Sequence, residues 1–354
     1  MSVRIAYPIR AMVAIVLALT AFECRVRAEP PLAEAKVHAL IIVDSLDRAI
    51  GKSVALDGEM VKDALTAGFK GHEDRLALTL LQGADATPAK LAAYYRDLKV
   101  GPTDTVLFYF SGHGATHSRR GHVIALGDKA VVRADLLEVI ARKKPRLTVC
   151  LTDCCAVTLG GKPEVSRNVS FSWATIQSLL FRPSGLVDIN ACSIGECSYC
   201  DAKGSVFTRC LVAGLTKAPH ELGGESTEYV HWDDFFRYVR KRTEDDFAVL
   251  KAADTDIERD AKQVPQAFLL PPHRLGVVGK GGADGLAVTR VYRGSPAEGA
   301  GFRPGDSILK VGDVDIRSSE DLERALEKAG GSAAVVVRPK GKTEPTTRTV
   351  RLGE

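Results

Sequence analysis

Apolar residues in this chain alternate between two rhythms. Short continuous runs have the length and composition of strands buried on both faces: VHALIIVD from Val37, LALTLLQG at 76–83, DTVLFYFSGHG at 104–114, RLTVCLTD at 146–153 and GLVDINAC at 185–192. Between them come stretches with helical spacing. DGEMVKDALTAGF at 57–69 places Met60, Val61, Ala64 and Leu65 on one stripe, KLAAYYRDL follows a capped start at Thr87-Pro88, and ADLLEVIARKK precedes the run at 146. A short strand around HVIAL continues the alternation, and helical segments follow near 205–215 and 231–247. Strands alternating with helices predict an α/β domain, a mostly parallel sheet with helices on both faces. Sites in such sheets form at the carboxyl ends of the strands.

The rhythm changes at QVPQAFLLPPH, 263–273, where three prolines interrupt it, and a domain boundary is expected near 271. Beyond it come glycine-rich, strand-like pieces, RLGVVG, GLAVTRVYR, DSILKVGDVDI and AAVVVRPKG, with one helix in SEDLERALEKAG. That pattern predicts a small β-rich domain carrying a helix.

With 354 residues, 45% hydrophobic and 26% charged, the chain is too long for one average core and too apolar for disorder. Its formal charge of +4 comes largely from the first 28 residues, where Arg4, Arg10, Arg25 and Arg27 face Glu23 alone. The remainder is near neutral and has no basic stripe, which argues against nucleic acid as a partner.

Those first residues have a basic start, an apolar stretch from Ala11 to Phe22, and small side chains at Val26 and Ala28. This is a secretory signal pattern, with cleavage expected after Ala28 and an uncleaved anchor as the alternative. The apolar stretch is well short of the roughly 20 residues a spanning helix needs, so no integral membrane domain is expected after cleavage, and a periplasmic or secreted location is. The chain has eight cysteines, seven of them beyond Ala28, and an odd number in an exported chain leaves at least one free thiol. Cys192, Cys197 and Cys200 match one iron–sulfur spacing, but disulfides or buried thiols fit an exported chain better. No pattern supports a metal site or a cofactor.

Two strand ends carry candidate chemistry. His113 stands between Gly112 and Gly114 just past one buried run, and Asp153, Cys154 and Cys155 end another. Strand alternation puts Asp153 and Cys155 on one face and Cys154 on the other. A thiol becomes a nucleophile when an imidazole takes its proton, so His113 and Cys155 form a candidate dyad.

The SGHG that follows one strand and the Asp-Cys-Cys that ends the next resemble the caspase and metacaspase clan of cysteine peptidases, over about residues 36–270. INACSIGE and GSVFTRCLVAGL are similar to the clan's strand after the nucleophile and the helix behind it. The resemblance implies hydrolysis of peptide bonds in protein or peptide substrates, with His113 as general base, Cys155 as nucleophile and an oxyanion hole from N–H groups near Gly114 and Cys155. Asp153 resembles the metacaspase acid that lines the first specificity pocket, which implies cleavage after Arg or Lys. A second acid is expected after the first strand, with Asp44, Asp47 and Asp57 as candidates. Where the family has His-Ser-Gly after the nucleophile, this chain has Ala156-Val157-Thr158. Many metacaspases are activated by calcium, and the sequence leaves that open here.

Residues 273–354 resemble a PDZ domain of the permuted bacterial kind. Arg274-Leu275-Gly276-Val277 matches its carboxylate-binding loop and first strand, and SSEDLERAL its groove helix. Such domains capture peptide C-termini by strand addition, which makes Leu275, Gly276 and Val277 candidate binding residues. A catalytically silent caspase-like protein that binds partners through this domain is the alternative to an enzyme.

Overall fold

A computed structural model describes residues 34–117, 121–127, 129–154, 156–158, 170–222, 230–269, 275–291, 295–329 and 331–352; the signal-like segment and Cys155 lie outside the described residues. In chain order the larger unit contains β1 (Val37–Val43), α1 (Gly51–Gly68), β2 (Leu76–Leu81), α2 (Pro88–Asp97), β3 (Thr105–Gly112), β4 (Gly114–His117), β5 (Gly121–Leu126), β6 (Lys129–Val132), α3 (Arg133–Ala141) and β7 (Leu147–Cys154). It continues with β8 (Ala156–Thr158), α4 (Trp173–Leu180), β9 (Gly185–Asn190), β10 (Ser198–Asp201), β11 (Gly204–Ser205), α5 (Val206–Leu215), α6 (Trp232–Ala253) and β12 (Gln266–Leu269).

The central sheet has the order β12-β9-β7-β3-β1-β2, parallel except for β12, which runs antiparallel to β9 at one edge. Every residue of β1, β3 and β7 is buried, which explains why these strands are continuous apolar runs. One face packs under α1, α4, α5 and α6, through Val54, Leu65, Ile176, Phe207, Trp232 and Phe235. The other packs under α2, α3 and β5, through Leu91, Tyr95, Leu136, Ile140 and Ile124. Thr87 caps α2 as its sequence implies, its hydroxyl accepting from the Lys90 N–H at 3.2 Å.

Two elements differ from the sequence expectation. HVIAL does not join the parallel sheet; it is the middle strand, β5, of a separate antiparallel sheet ordered β4-β5-β6 that covers one face. The segment with the prolines is not only a boundary, because Gln266–Leu269 forms β12 and closes the main sheet.

The C-terminal part comprises β13 (Val277–Lys280), β14 (Leu286–Val291), α7 (Pro296–Gly299), β15 (Ser307–Val311), β16 (Val314–Asp315), α8 (Ser319–Ala329), β17 (Ser332–Arg338) and β18 (Thr346–Arg351). Its sheet runs β13-β14-β15-β17-β18 with β16 paired to β15, so among the described residues β13 has a neighbour on one side only. A core of its own includes Leu275, Val277, Leu286, Ile308, Leu322 and Val335. Among the described residues, no helix is long and apolar enough to cross a membrane.

Gly276 shows why this position has no side chain. Its φ is +80°, and a Cβ there would lie 2.0 Å from the Ser295 Cβ. Gly276→Ala is therefore expected to destabilise this domain by about 2 kcal/mol or more. Native-state hydrogen exchange of the full chain checks it: β13–β15 amides should lose protection while those of β1, β3 and β7 keep theirs.

Candidate active site

The pairing of β3 with β7 brings the candidate residues to one end of the sheet. Ser111 stands opposite Asp153 and Gly112 opposite Cys154, so Ser111 and Asp153 point to the same face. That face is the one covered by α1 and α5. Asp153 is 1% exposed, and its carboxylate accepts hydrogen bonds from the Ser198 and Thr208 hydroxyls, both at 2.6 Å. Gln263 supports the arrangement by donating from Nε2 to Ser198 Oγ at 3.0 Å.

Beside it lies Asp57 of α1, fully buried. Ser111 donates to Asp57 Oδ2 at 2.7 Å, the Ser205 N–H donates to Oδ1 at 2.8 Å, and the Ser205 hydroxyl also donates to Oδ2. Of the three acids considered as a partner for Asp153, Asp57 is the one in its neighbourhood. Among the described residues no basic side chain forms an ion pair with either carboxylate. Burial, with the Asp153 charge adding to it, pushes the Asp57 carboxyl up to about 7, against the pull of its Ser205 and Ser111 donors. Burial raises Asp153 as well, opposed by Ser198 and Thr208. The sequence does hold a signal for Asp57: it falls on the stripe of α1 that also carries Val54, Val61 and Leu65, where a carboxylate is unexpected.

His113 follows β3 with its side chain 41% exposed, and its Nε2 lies 3.3 Å from Asp47 Oδ2. Its backbone carbonyl accepts from the Ala125 N–H at 2.9 Å, tying the strand end to β5. Gly114 begins β4, and a Cβ on it would stand 2.8 Å from Cys154 Sγ, so the glycine is required by close packing. Cys155 lies outside the described residues.

Cys154 is buried on the opposite face from Asp153, within the core under α2 and α3. Its Sγ lies 3.1 Å from Nε2 of His122 on β5, a contact that no sequence motif signals. Below it, Arg133 and Asp188 form a buried ion pair, which with His122 opposes the upward push of burial on the Asp188 carboxyl. Cys150 and Cys210 are free thiols, and among the described residues no three metal-ligating side chains converge.

In the C-terminal part, Leu275 and Val277 are buried and the Leu275 carbonyl accepts from the Ala297 N–H at 2.8 Å. These residues bring the chain into β13, the strand at the sheet edge, and α8 packs near that strand.

Comparison with known proteins places this architecture. The caspase domain family matches residues 57–270, more than half of the chain, and the PDZ domain family matches residues 287–339. The chain belongs to the caspase-domain family and carries a PDZ domain after it. It is similar to Serine protease Do-like HtrB of Bacillus subtilis, 34% identical over 94 residues, which are 26% of this chain and 20% of that protein. The chain thus spans about a fifth of that relative's length. Among solved structures, caspase-1 from Spodoptera frugiperda aligns over 67% of this chain and 87% of its own, with 15% identity and a TM-score of 0.43. The PDZ domain of HtrA3 bound to a phage-derived ligand aligns over 22% of this chain and 83% of its own, with 20% identity and a TM-score of 0.20.

The acid pair makes stability depend on pH with a definite sign. The folded chain keeps a proton on Asp57 up to about pH 7, whereas an unfolded aspartate loses it near 3.8. Between those values the native state binds more protons, so this contribution is present in full below the lower value and is lost as pH rises through the upper one. Urea titrations at about pH 5 and about pH 8 should show the difference between the wild type and Asp57→Asn changing by on the order of a few kcal/mol, the wild type being relatively weaker at the higher pH.

Proposed function

We propose that this chain is an exported cysteine endopeptidase that cleaves after arginine or lysine and holds peptide C-termini in its PDZ domain. The buried acid pair carries the reading. Asp57 and Asp153 sit under hydroxyl donors at the end of the sheet that bears His113, with no cation among their described partners. Two buried acids without a counter-ion are costly to ionise together, and an entering guanidinium or ammonium offsets that cost. An acid pair engaged in this way discriminates against uncharged side chains because they leave the acids unpaired. Membership of the caspase-domain family supports peptide-bond hydrolysis as the reaction.

His113 takes the proton of the Cys155 thiol, and the thiolate attacks the carbonyl carbon of the bond after the basic residue. N–H groups of Gly114 and Cys155 hold the oxyanion. Collapse of the intermediate breaks the C–N bond, the amine leaves with the proton from His113, and water then hydrolyses the thioester.

An arginine-directed acyloxymethylketone probe should label Cys155, as read by peptide mapping. Cys155→Ala and His113→Ala should each abolish cleavage while leaving thermal unfolding unchanged, and Cys154→Ala should retain turnover. Asp153→Asn should lower kcat/KM on arginine peptides by about a hundredfold. A preference for aspartate at the cleaved position in a peptide library would overturn the specificity.

For the PDZ domain, the edge of β13 that no described strand pairs with and the buried Leu275-Gly276-Val277 loop before it suit strand addition with carboxylate capture. Free-acid peptides should bind the full chain more tightly than their amidated forms by calorimetry. Equal affinities would leave the domain as a docking surface only. Substituting Gly276 cannot decide this, since it disturbs the fold.

A further inference from the structure

Asp47 is held in a way that the reaction proposed above does not use. The loop after β1 is pinned to β3 by the Asp44 N–H, which donates to the Ser111 carbonyl at 3.1 Å. Asp47 then starts α1: its Oδ1 accepts from the Ala49 N–H at 2.8 Å and the Ile50 N–H at 2.9 Å, and its carbonyl accepts from the Gly51 N–H at 3.1 Å. Gly51 is required there, since a Cβ would lie 2.5 Å from the Ser45 carbonyl oxygen. One carboxylate oxygen is thus spent on the helix start, and the other, Oδ2, stands 3.3 Å from His113 Nε2. The backbone N–H groups, that of Ile50 foremost, hold the Asp47 carboxyl below the usual carboxylate range, so it stays ionised. Asp44, the other acid near the ring, is shifted the opposite way, by burial first and then by the Asp47 charge.

We propose that Asp47 is the positioning residue of a Cys–His–Asp arrangement, accepting the Nε2–H of His113 so that Nδ1 is the nitrogen left to take the thiol proton. Fixing the ring by a carboxylate on the far nitrogen sets both its tautomer and its orientation, and it stabilises the imidazolium that forms when the thiol is deprotonated. Asp47 acts through His113. Its effect is expected on the chemical step and not on substrate capture, which is the business of Asp57 and Asp153.

The inference rests on the peptidase reading, and the test separates the two. Asp47→Asn keeps an oxygen for the Ala49 and Ile50 N–H groups, so α1 starts as before, and only the charge facing His113 is removed. On arginine peptides, kcat should fall about tenfold to a hundredfold with KM unchanged, and Asp47→Glu should recover part of the loss. In parallel, proton–nitrogen correlation spectra of histidine-labelled chain, at a pH where the ring is neutral, should show His113 with its proton fixed on Nε2 in the wild type. In Asp47→Ala the ring should average between tautomers. Wild-type kcat in Asp47→Asn, a loss carried by KM, or an unchanged ring pattern in Asp47→Ala would overturn the proposal. A fixed tautomer in a wild type that turns over no basic peptide would overturn the peptidase reading, and with it the catalytic part of Asp47, while leaving the orienting contact established.

Discussion

The in-register pairing of β3 with β7 is the constraint on which the rest of the site depends. Eight consecutive residue pairs, from Thr105 with Leu147 to Gly112 with Cys154, end both strands at the same level. Because side chains alternate across a sheet, that pairing sends Ser111 and Asp153 to one face and leaves Cys154 on the other. A slip of one residue would exchange the two environments, placing a thiol among the hydroxyls and a carboxylate in an aliphatic core. The apolar layers under both faces therefore determine more than stability, since they fix which chemistry meets which helix.

Each face has its own polar arrangement. Under α1 and α5, serine and threonine hydroxyls serve two acids that lack a cation among the described residues. Under α3, Arg133 is paired with Asp188, so charge is balanced within the fold. The first arrangement holds two acids without a described counter-ion, and the second balances its charge within the fold. A buried charge that finds its counterpart inside the chain costs the fold less than one held by hydroxyl and N–H donors alone.

Much of this was legible in the sequence, and the parts that were not have physical reasons. The runs that became β1, β3 and β7 are apolar at every position because both faces are covered, and no competing pattern obscures them. The cap at Thr87-Pro88 is a local interaction and needs no tertiary context. HVIAL carries no mark of which sheet it joins, since its antiparallel partners Gly114–His117 and Lys129–Val132 are short and weakly apolar. The start of α1 at Gly51, ahead of the periodic stretch, depends on a backbone contact with Ser45 that composition does not reveal. His122 meets Cys154 only through the fold of β4–β6 over the sheet, which no spacing encodes. Asp57 could be suspected from its place on an apolar stripe, but its partnership with Asp153 spans nearly a hundred residues and appears only once the helix is laid on the strands.

The edge of β13 that no described strand covers also bears on how the molecule behaves at high concentration. An open strand is a template for any extended chain, including a second copy of itself. Here the strand is four residues long and ends in Lys280, while Gly279 has no side chain and a Cβ there would collide with Leu286. So short a ladder, with a charge at its end, gives little purchase for stacking copy upon copy, yet it is long enough to meet a short peptide. The strand's brevity thus guards the molecule against polymerising through an edge that a peptide-binding domain has reason to leave uncovered.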